Sequence, residues 1–286
     1  MNEYYNHITL VLISHKSKKK IQKFLNSLSN KNKIIIIENS NKKIFIDQFN
    51  TKNLRIYNVN NKGYAGSINF AREKIDTKYF FVFNPDVEDI DDRIINYFFK
   101  KAIELKDNFS CLGPRYKNIS SKTLKQSDEK KEIGKLYSIS GASMFFNTEN
   151  FDLIGGFDDN FFLYFEETDY CIRAREKNLF SFQLNQIKIT HNIGTSFETK
   201  DKVEEKKLKD LLNWHFIWSK FYFFKKHYGF FISIIYFLPI LIRTILKIIF
   251  FELLSKYEKK RKYEIRYNGL ISSIKNTKSY KRIDNF

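Results

Sequence analysis

From Ile8 to Leu105 the chain alternates short apolar runs with segments of helical period. Ile8–Ile13 has the length and character of a buried strand. Ser17 to Leu28 places Ile21, Phe24, Leu25 and Leu28 on one helical face. Ile34–Ile37 is a second strand candidate and runs into Glu38-Asn39-Ser40. Leu54–Val59 is a third, and a glycine-containing turn then opens a helix from Tyr64 to Ile75. Tyr79–Phe83 is wholly apolar and ends in Asn84-Pro85-Asp86, and a helix with acids at its start spans Asp91 to Leu105. Alternation of this kind predicts an α/β fold, a Rossmann-like and mostly parallel central sheet flanked by helices. Ligands of such sheets bind beyond the carboxyl ends of the strands. The polar tips Ser14-His15, Glu38-Asn39, Asn60-Asn61-Lys62 and Asn84-Pro85-Asp86 all fall at such ends.

The pattern then changes. Pro114 to Leu136 is polar and rich in Lys and Ser, and reads as a loop or hairpin over the site. Ordered structure resumes from Ser140 to Ile189, with a strand-like run from Phe180 to Thr190. Lys200 to Lys209 is a charged helical stretch. Phe230 to Leu254 is the most apolar part of the chain, long enough to span a bilayer but interrupted by Pro239, Arg243 and Lys247. A central Arg or Lys costs roughly 2.5–3.5 kcal/mol on insertion scales. The favoured reading is therefore a kinked helix lying in a membrane interface; a packed soluble helix pair and a true span are the alternatives. The expected organisation is a domain over residues 1–200 and a basic, apolar helical appendage over 201–286.

Composition sharpens this picture. The chain has 286 residues and a formal net charge of +18, which favours anionic partners. From Leu211 onward there are 15 Lys/Arg against four Asp/Glu, so the excess gathers beside the apolar helix and suits an anionic membrane surface. No nucleic-acid reader motif accompanies the charge, so nucleic acid is excluded as the expected partner. Two cysteines, Cys111 and Cys171, make neither a disulfide framework nor a metal cluster, and a reducing compartment is expected. The run Ile8–Ile13 is too short for a signal peptide.

Candidate chemistry concentrates in Ser140 to Asn178, where Asp158, Asp159, Glu166, Glu167 and Asp169 crowd beside Phe161, Phe162, Leu163, Tyr164 and Phe165. A carboxylate among aromatics is costly unless it has a partner or a chemical task. One of these acids can serve as a general base, or they can simply complement a helix N-terminus. Asp169 and Arg173 form an i,i+4 pair of structural character. Asp86 can offer hard oxygen to a divalent cation, or mark a Pro-Asp turn. Asn61-Lys62-Gly63 can hold phosphate at a helix start, or merely open that helix. Glu38 can accept from a nucleobase or cap the next helix. His191 can be a metal ligand or an ordinary histidine.

Taken in order, these segments resemble glycosyltransferase family 2, the inverting nucleotide-sugar transferases of GT-A fold, and most of all its bacterial rhamnosyltransferase-like members. The matching pieces are residues 34–41, 61–71, 83–87, 112–116, 140–174 and 191–196, and residues 213–227 look like the family's helical tail. The resemblance implies donor binding by Ser14, Glu38, Asn61, Lys62, Gly63, Asn84 and Asp86. It implies Mg²⁺ or Mn²⁺ held by Asp86 and His191, and Glu167 as catalytic base. Phe157, Asp158, Tyr164 and Glu166 would face the acceptor. The family's Glu-Asp-x-Asp reads here as Glu166-Glu167-Thr168-Asp169, and Glu38 stands in place of its Asp; each change lengthens the arm by one methylene. The implied reaction moves a sugar, first of all rhamnose from dTDP-rhamnose, to a lipid-linked or polysaccharide acceptor on the cytoplasmic face of a membrane. A UDP-sugar donor and a non-catalytic membrane-attached relative are the alternatives.

Overall fold

The computed structural model describes residues 3–40, 53–120, 123–196 and 201–282. Asn41, at the end of the 34–41 motif, and Lys200, at the start of the charged stretch, lie outside these. The chain forms two compact units, one of residues 1–158 and 167–198, the other of residues 159–166 and 199–286. The aromatic segment 159–166 thus groups with the C-terminal helices, not with the first 200 residues.

The first unit contains β1 (Ile8–Ser14), α1 (Lys18–Asn26), β2 (Lys33–Glu38), β3 (Leu54–Asn58), α2 (Gly63–Arg72), β4 (Tyr79–Phe83), β5 (Val87–Glu88) and α3 (Asp92–Glu104). There follow β6 (Cys111–Tyr116), β7 (Ile133–Leu136), β8 (Ser143–Asn147), α4 (Thr148–Ile154), α5 (Glu166–Glu176) and β9 (Ser181–His191). The strands make one sheet in the order β3-β2-β1-β4-β8-β6-β9-β5, with β7 on β9. The first half is parallel, as the alternation predicts: β2 pairs with β1 and β3, and β1 with β4. The second half is mixed. Strand β8 runs antiparallel to both β4 and β6, while β6 and β9 are parallel. The βα alternation stops after α3, and with it the crossovers that keep strands parallel.

Side chains explain these elements. All seven residues of β1 and all five of β4 are buried, as a central strand covered on both faces requires. Leu10, Leu12, Ile36, Phe81, Phe83 and Phe145 have no exposed surface. Asp91 caps α3 by accepting from Ile94 N at 3.0 Å. Asp92 accepts from Tyr4 Oη, Asn32 Nδ2 and Ser29 N, tying three segments together.

The polar stretch 114–136 begins and ends in strands, and its middle is pinned rather than free. Buried Gln183 and Asn185 of β9 hold it. Ser127 N donates to Gln183 Oε1 at 2.8 Å, and Asn185 Nδ2 donates to the carbonyls of Asp128 and Lys131.

The second unit is built on α6 (Lys202–Tyr228), α7 (Phe230–Leu253) and α8 (Tyr257–Ile274). Gly229, at φ +83°, lets the chain reverse between α6 and α7. Contacts 206–258, 210–261, 214–268 and 218–273 run in step, so α8 lies parallel to α6. Contacts Phe221–Phe237 and Phe251–Tyr263 set α7 antiparallel to both. Helix α7 runs unbroken through Pro239. Ile217, Phe221, Phe237 and Leu270 form the core where the three helices meet.

Candidate functional site

The parallel half of the sheet delivers its polar tips to one edge. Ser14 is in register with Glu38, and Glu38 with Asn58. Strand β9 runs in the same sense as β4, through two antiparallel steps at β8 and one parallel step, so His191 arrives at the same edge as Asn84–Asp86.

At this edge Asp86 and His191 face each other. Asp86 Oδ1 lies 3.4 Å from His191 Nε2, and the two side chains are 2% and 12% exposed. The approach lacks hydrogen-bond geometry: Asp86 Oδ1, though buried, has no hydrogen-bond partner among the described residues, and neither has His191 Nδ1. The backbone fixes the pair. Val87 pairs with His191 in the β5–β9 ladder, and Asn192 N donates to Asp86 O at 3.0 Å. Asn118 clamps His191 from the other side, accepting from His191 N and donating to its carbonyl, both at 3.0 Å. A buried carboxylate oxygen without a donor is costly unless something else supplies positive charge.

The donor set fits a divalent cation. One carboxylate and one imidazole make an incomplete site, and no group of three or more His, Cys, Asp and Glu converges among the described residues. Two protein ligands with the remainder from phosphate oxygens and water is how Mg²⁺ commonly binds beside a nucleotide.

A second cluster lies at the tips of β1 and β2. Glu38 is fully buried and accepts from Ser14 Oγ at 2.5 Å, from Lys16 N at 3.2 Å and from Ser40 N at 2.8 Å. Ser14 is likewise fully buried. Neither side chain presents an atom to solvent; both tie the strand tips to each other. The longer glutamate arm is what reaches the two backbone amides. Asn39, which the sequence reading left without a role, bonds Ser67 of α2, its Nδ2 2.7 Å from Ser67 Oγ. Gly63 opens α2 at φ +73° and donates to Asn61 Oδ1 at 3.1 Å. Lys62 is exposed and Asn61 and Asn84 are half-buried, so these three are the donor-side candidates with accessible surface.

Glu167 sits in the first turn of α5, half-buried, and burial raises its carboxyl above the ordinary glutamate value. Helix α5 is firmly seated. Tyr170 and Cys171 are fully buried, with Tyr170 Oη donating to Ser110 O at 3.1 Å and the thiols of Cys111 and Cys171 3.9 Å apart. Asp169 holds Arg173 at 2.9 Å, and Arg173 donates to the carbonyls of Ile154 and Gly156, the turn that closes α4. The i,i+4 pair is structural, as its spacing suggests. Gly155 and Gly156 both have positive φ there, and a Cβ on Gly156 would meet Asn69 Oδ1 at 2.9 Å.

The residues expected on the acceptor side do not share one environment. Phe157 is a core ring, 3% exposed, packed against Phe146, Phe151 and Tyr170, with both its backbone polar groups bonded by Asn69. Asp158 is half-buried and belongs to the first unit. Tyr164 and Glu166 belong to the second. Tyr164 and Phe165 are consecutive non-glycine residues at φ +71°, a conformation costing roughly 1–2 kcal/mol each. Rings of α6 hold them there: Phe216 against both, Phe223 against Phe165. Burial and the neighbouring Glu166 push the Tyr164 phenol up to about 12.

Tyr116, the last residue of β6, was not singled out by sequence. Its ring centroid lies 5.6 Å from that of His191, it is 2% exposed, and its Oη has no hydrogen-bond partner among the described residues. Burial holds the phenol above its ordinary value, with the nearby Ser140 side chain lowering it and the charge of Asp86 adding to the rise.

No protein-family profile matches the chain. Over 208 residues, 65% of this chain and 67% of the relative, it is 22% identical to the low-salt glycan biosynthesis hexosyltransferase Agl10 of Haloferax volcanii. Among solved structures it superposes on S. aureus TarS 1–349 in complex with UDP-GlcNAc, with a TM-score of 0.53 and 15% identity over 96% of this chain and 93% of that one. GalNAc-T7 with UDP, GalNAc and Mn²⁺ gives 0.52 and 12% over 66% of this chain. The chain spans 44% of the GalNAc-T7 structure and 39% of a longer TarS structure. The fold is α/β and GT-A-like, a mixed sheet with flanking helices followed by a helical region that includes one apolar helix.

Proposed function

We propose that this protein is an inverting glycosyltransferase that moves a hexose from a nucleoside-diphosphate donor to a hydroxyl of a glycan acceptor. The observation that carries the reading is the Asp86–His191 pair, buried and short of hydrogen bonds, at the edge where the parallel strands end. The names of the relatives agree: a hexosyltransferase of glycan biosynthesis, and structures holding UDP, UDP-GlcNAc or Mn²⁺. A UDP-hexose and dTDP-rhamnose are the two donors to separate.

In this reading Asp86 and His191 would hold Mg²⁺ or Mn²⁺, whose positive charge would favour departure of the diphosphate. Lys62, exposed at the start of α2, adds positive potential on the donor side. Glu167 takes the proton of the acceptor hydroxyl while that oxygen attacks the anomeric carbon from the face opposite the leaving group, so configuration inverts. A carboxyl raised by burial is a stronger base than an ordinary one. Asp158, half-buried, is the acceptor-side candidate of the first unit.

The acceptor is a lipid-linked glycan. One helix, Phe230–Leu253, is long and apolar enough to cross a membrane, yet only 11% of its most apolar window is buried. Phe231, Ile235, Leu246 and Leu253 form an outward apolar stripe, with Phe231 81% and Leu253 79% exposed. The opposite face packs on α6 and α8 through Phe237 and Phe251. A span by α7 would carry α8 and its Lys259, Lys260, Arg261 and Lys262 into hydrocarbon. An in-plane helix leaves those charges for anionic headgroups.

The test is release of nucleoside diphosphate and transfer of labelled sugar to lipid-linked acceptor in vesicles. Glu167→Gln is expected to lose transfer by at least a hundredfold while donor affinity stays within about twofold. Undiminished transfer would remove Glu167 from the mechanism.

A further inference from the structure

We infer that the Tyr116 hydroxyl binds the diphosphate of the donor, donating a hydrogen bond beside the Asp86–His191 pair; this rests on the transferase reading above. The placement of Tyr116 comes from an irregularity in the sheet. Strands β6 and β9 pair in register from Cys111↔Ser181 to Pro114↔Leu184, then the register jumps to Arg115↔Lys188 and Tyr116↔Ile189. Three residues of β9 are looped out, and they lie where Pro114, with no N–H to give, weakens the ladder. Without the jump Tyr116 would pair with Gln186, about 10 Å short of its present level on β9. Because side chains alternate along a strand, an odd shift also reverses which face meets which. The bulge therefore puts Tyr116 beside His191.

The result is a phenol whose ring is packed and whose hydroxyl has the Ser140 side chain as a neighbour but no hydrogen bond of good geometry. Tyr116 is 2% exposed. Its Oη, Asp86 Oδ1 and His191 Nδ1 are three of the buried polar atoms without hydrogen-bond partners in the first unit. Orphaned groups of this kind are rare, and a buried phenol without a well-formed hydrogen bond near a buried carboxylate oxygen that also lacks one implies a ligand that satisfies both. The ligand must accept from a phenol and also supply or carry the cation that Asp86 requires. A diphosphate with its divalent cation does both. A neutral sugar hydroxyl would satisfy Tyr116 but not Asp86.

The experiment is calorimetric titration of UMP, UDP and dTDP, each with Mn²⁺, into wild type and Tyr116→Phe, which keeps the ring. Wild type is expected to bind at least one diphosphate. Tyr116→Phe should weaken that diphosphate roughly ten- to a hundredfold, the range for a hydrogen bond to a charged group, and leave UMP binding and the melting temperature unchanged. Equal diphosphate affinity in the two proteins would overturn the inference and leave the transferase reading intact. An equal loss for UMP, or a lowered melting temperature, would show a structural role and also overturn it. Wild type binding neither diphosphate would overturn the inference and the transferase reading together.

Discussion

Two carboxylates at strand or helix tips show how differently one residue type can be employed. Glu38 accepts three hydrogen bonds from its own strand tips, whereas Glu167 is left half-buried with its carboxyl raised. A raised acid is active as a base only above its own ionisation. Transfer should therefore fall as pH is lowered through a single ionisation above the ordinary glutamate value of 4.5. The residual activity of Glu167→Gln should show no such limb, and a pH–rate profile of both proteins checks this. The sequence makes Asp86, His191 and Glu167 visible because each follows an apolar run or opens an acidic helix. It does not make Tyr116 visible, since Pro114 signals a weakened ladder but nothing in the run sets the size of the shift on its partner strand. Nor does it show that Glu38 would be used up by Lys16 N and Ser40 N, because that depends on the side-chain length meeting a backbone turn.

Among the elements, the parallel half of the sheet was legible from its alternation of apolar runs and helical periods. The antiparallel insertion of β8 was not, because an apolar run carries no sign of its direction. Helix α6 was legible only in part: its charged start reads as helix, but its task is set by contacts far away in sequence. His215 is fully buried, stacked on Phe162 at 4.6 Å, with Ser279 Oγ and Lys281 O at its two nitrogens. It joins α6 to the 159–166 segment and to the C-terminal tail. Burial, with Arg282 adding repulsion, depresses its pKa from 6.5 to about 3, so it stays neutral when folded. A depressed value means its contribution is complete above 6.5 and is lost as pH falls towards about 3. Between pH 7.5 and 5 the loss should be about 2 kcal/mol. The two tryptophans, Trp214 and Trp218, both lie on α6, so their fluorescence during urea unfolding reports this unit. His215→Asn is expected to be less stable at pH 7.5 but to lose less on acidification; an identical pH slope would contradict the assignment.

For the whole molecule, the exposed apolar stripe on α7 and the basic start of α8 are the features behind the proposed membrane surface. Wild type should sediment with vesicles containing anionic lipid. Replacing Phe231, Ile235 and Leu246 together by Ser should reduce that binding at least tenfold, since each buried apolar side chain contributes about 1.5–3 kcal/mol, with melting unchanged. Equal binding by the variant would detach α7 from the membrane. Everything else rests on donor recognition at the Asp86–His191 edge. The deciding measurement is titration of UDP-hexoses and dTDP-rhamnose into wild type and Asp86→Ala, each with Mn²⁺, with Mg²⁺ and with EDTA. One donor should bind wild type only with metal, and Asp86→Ala should weaken it at least tenfold. Binding of no donor under any metal, or equal binding by Asp86→Ala in EDTA, would contradict the account.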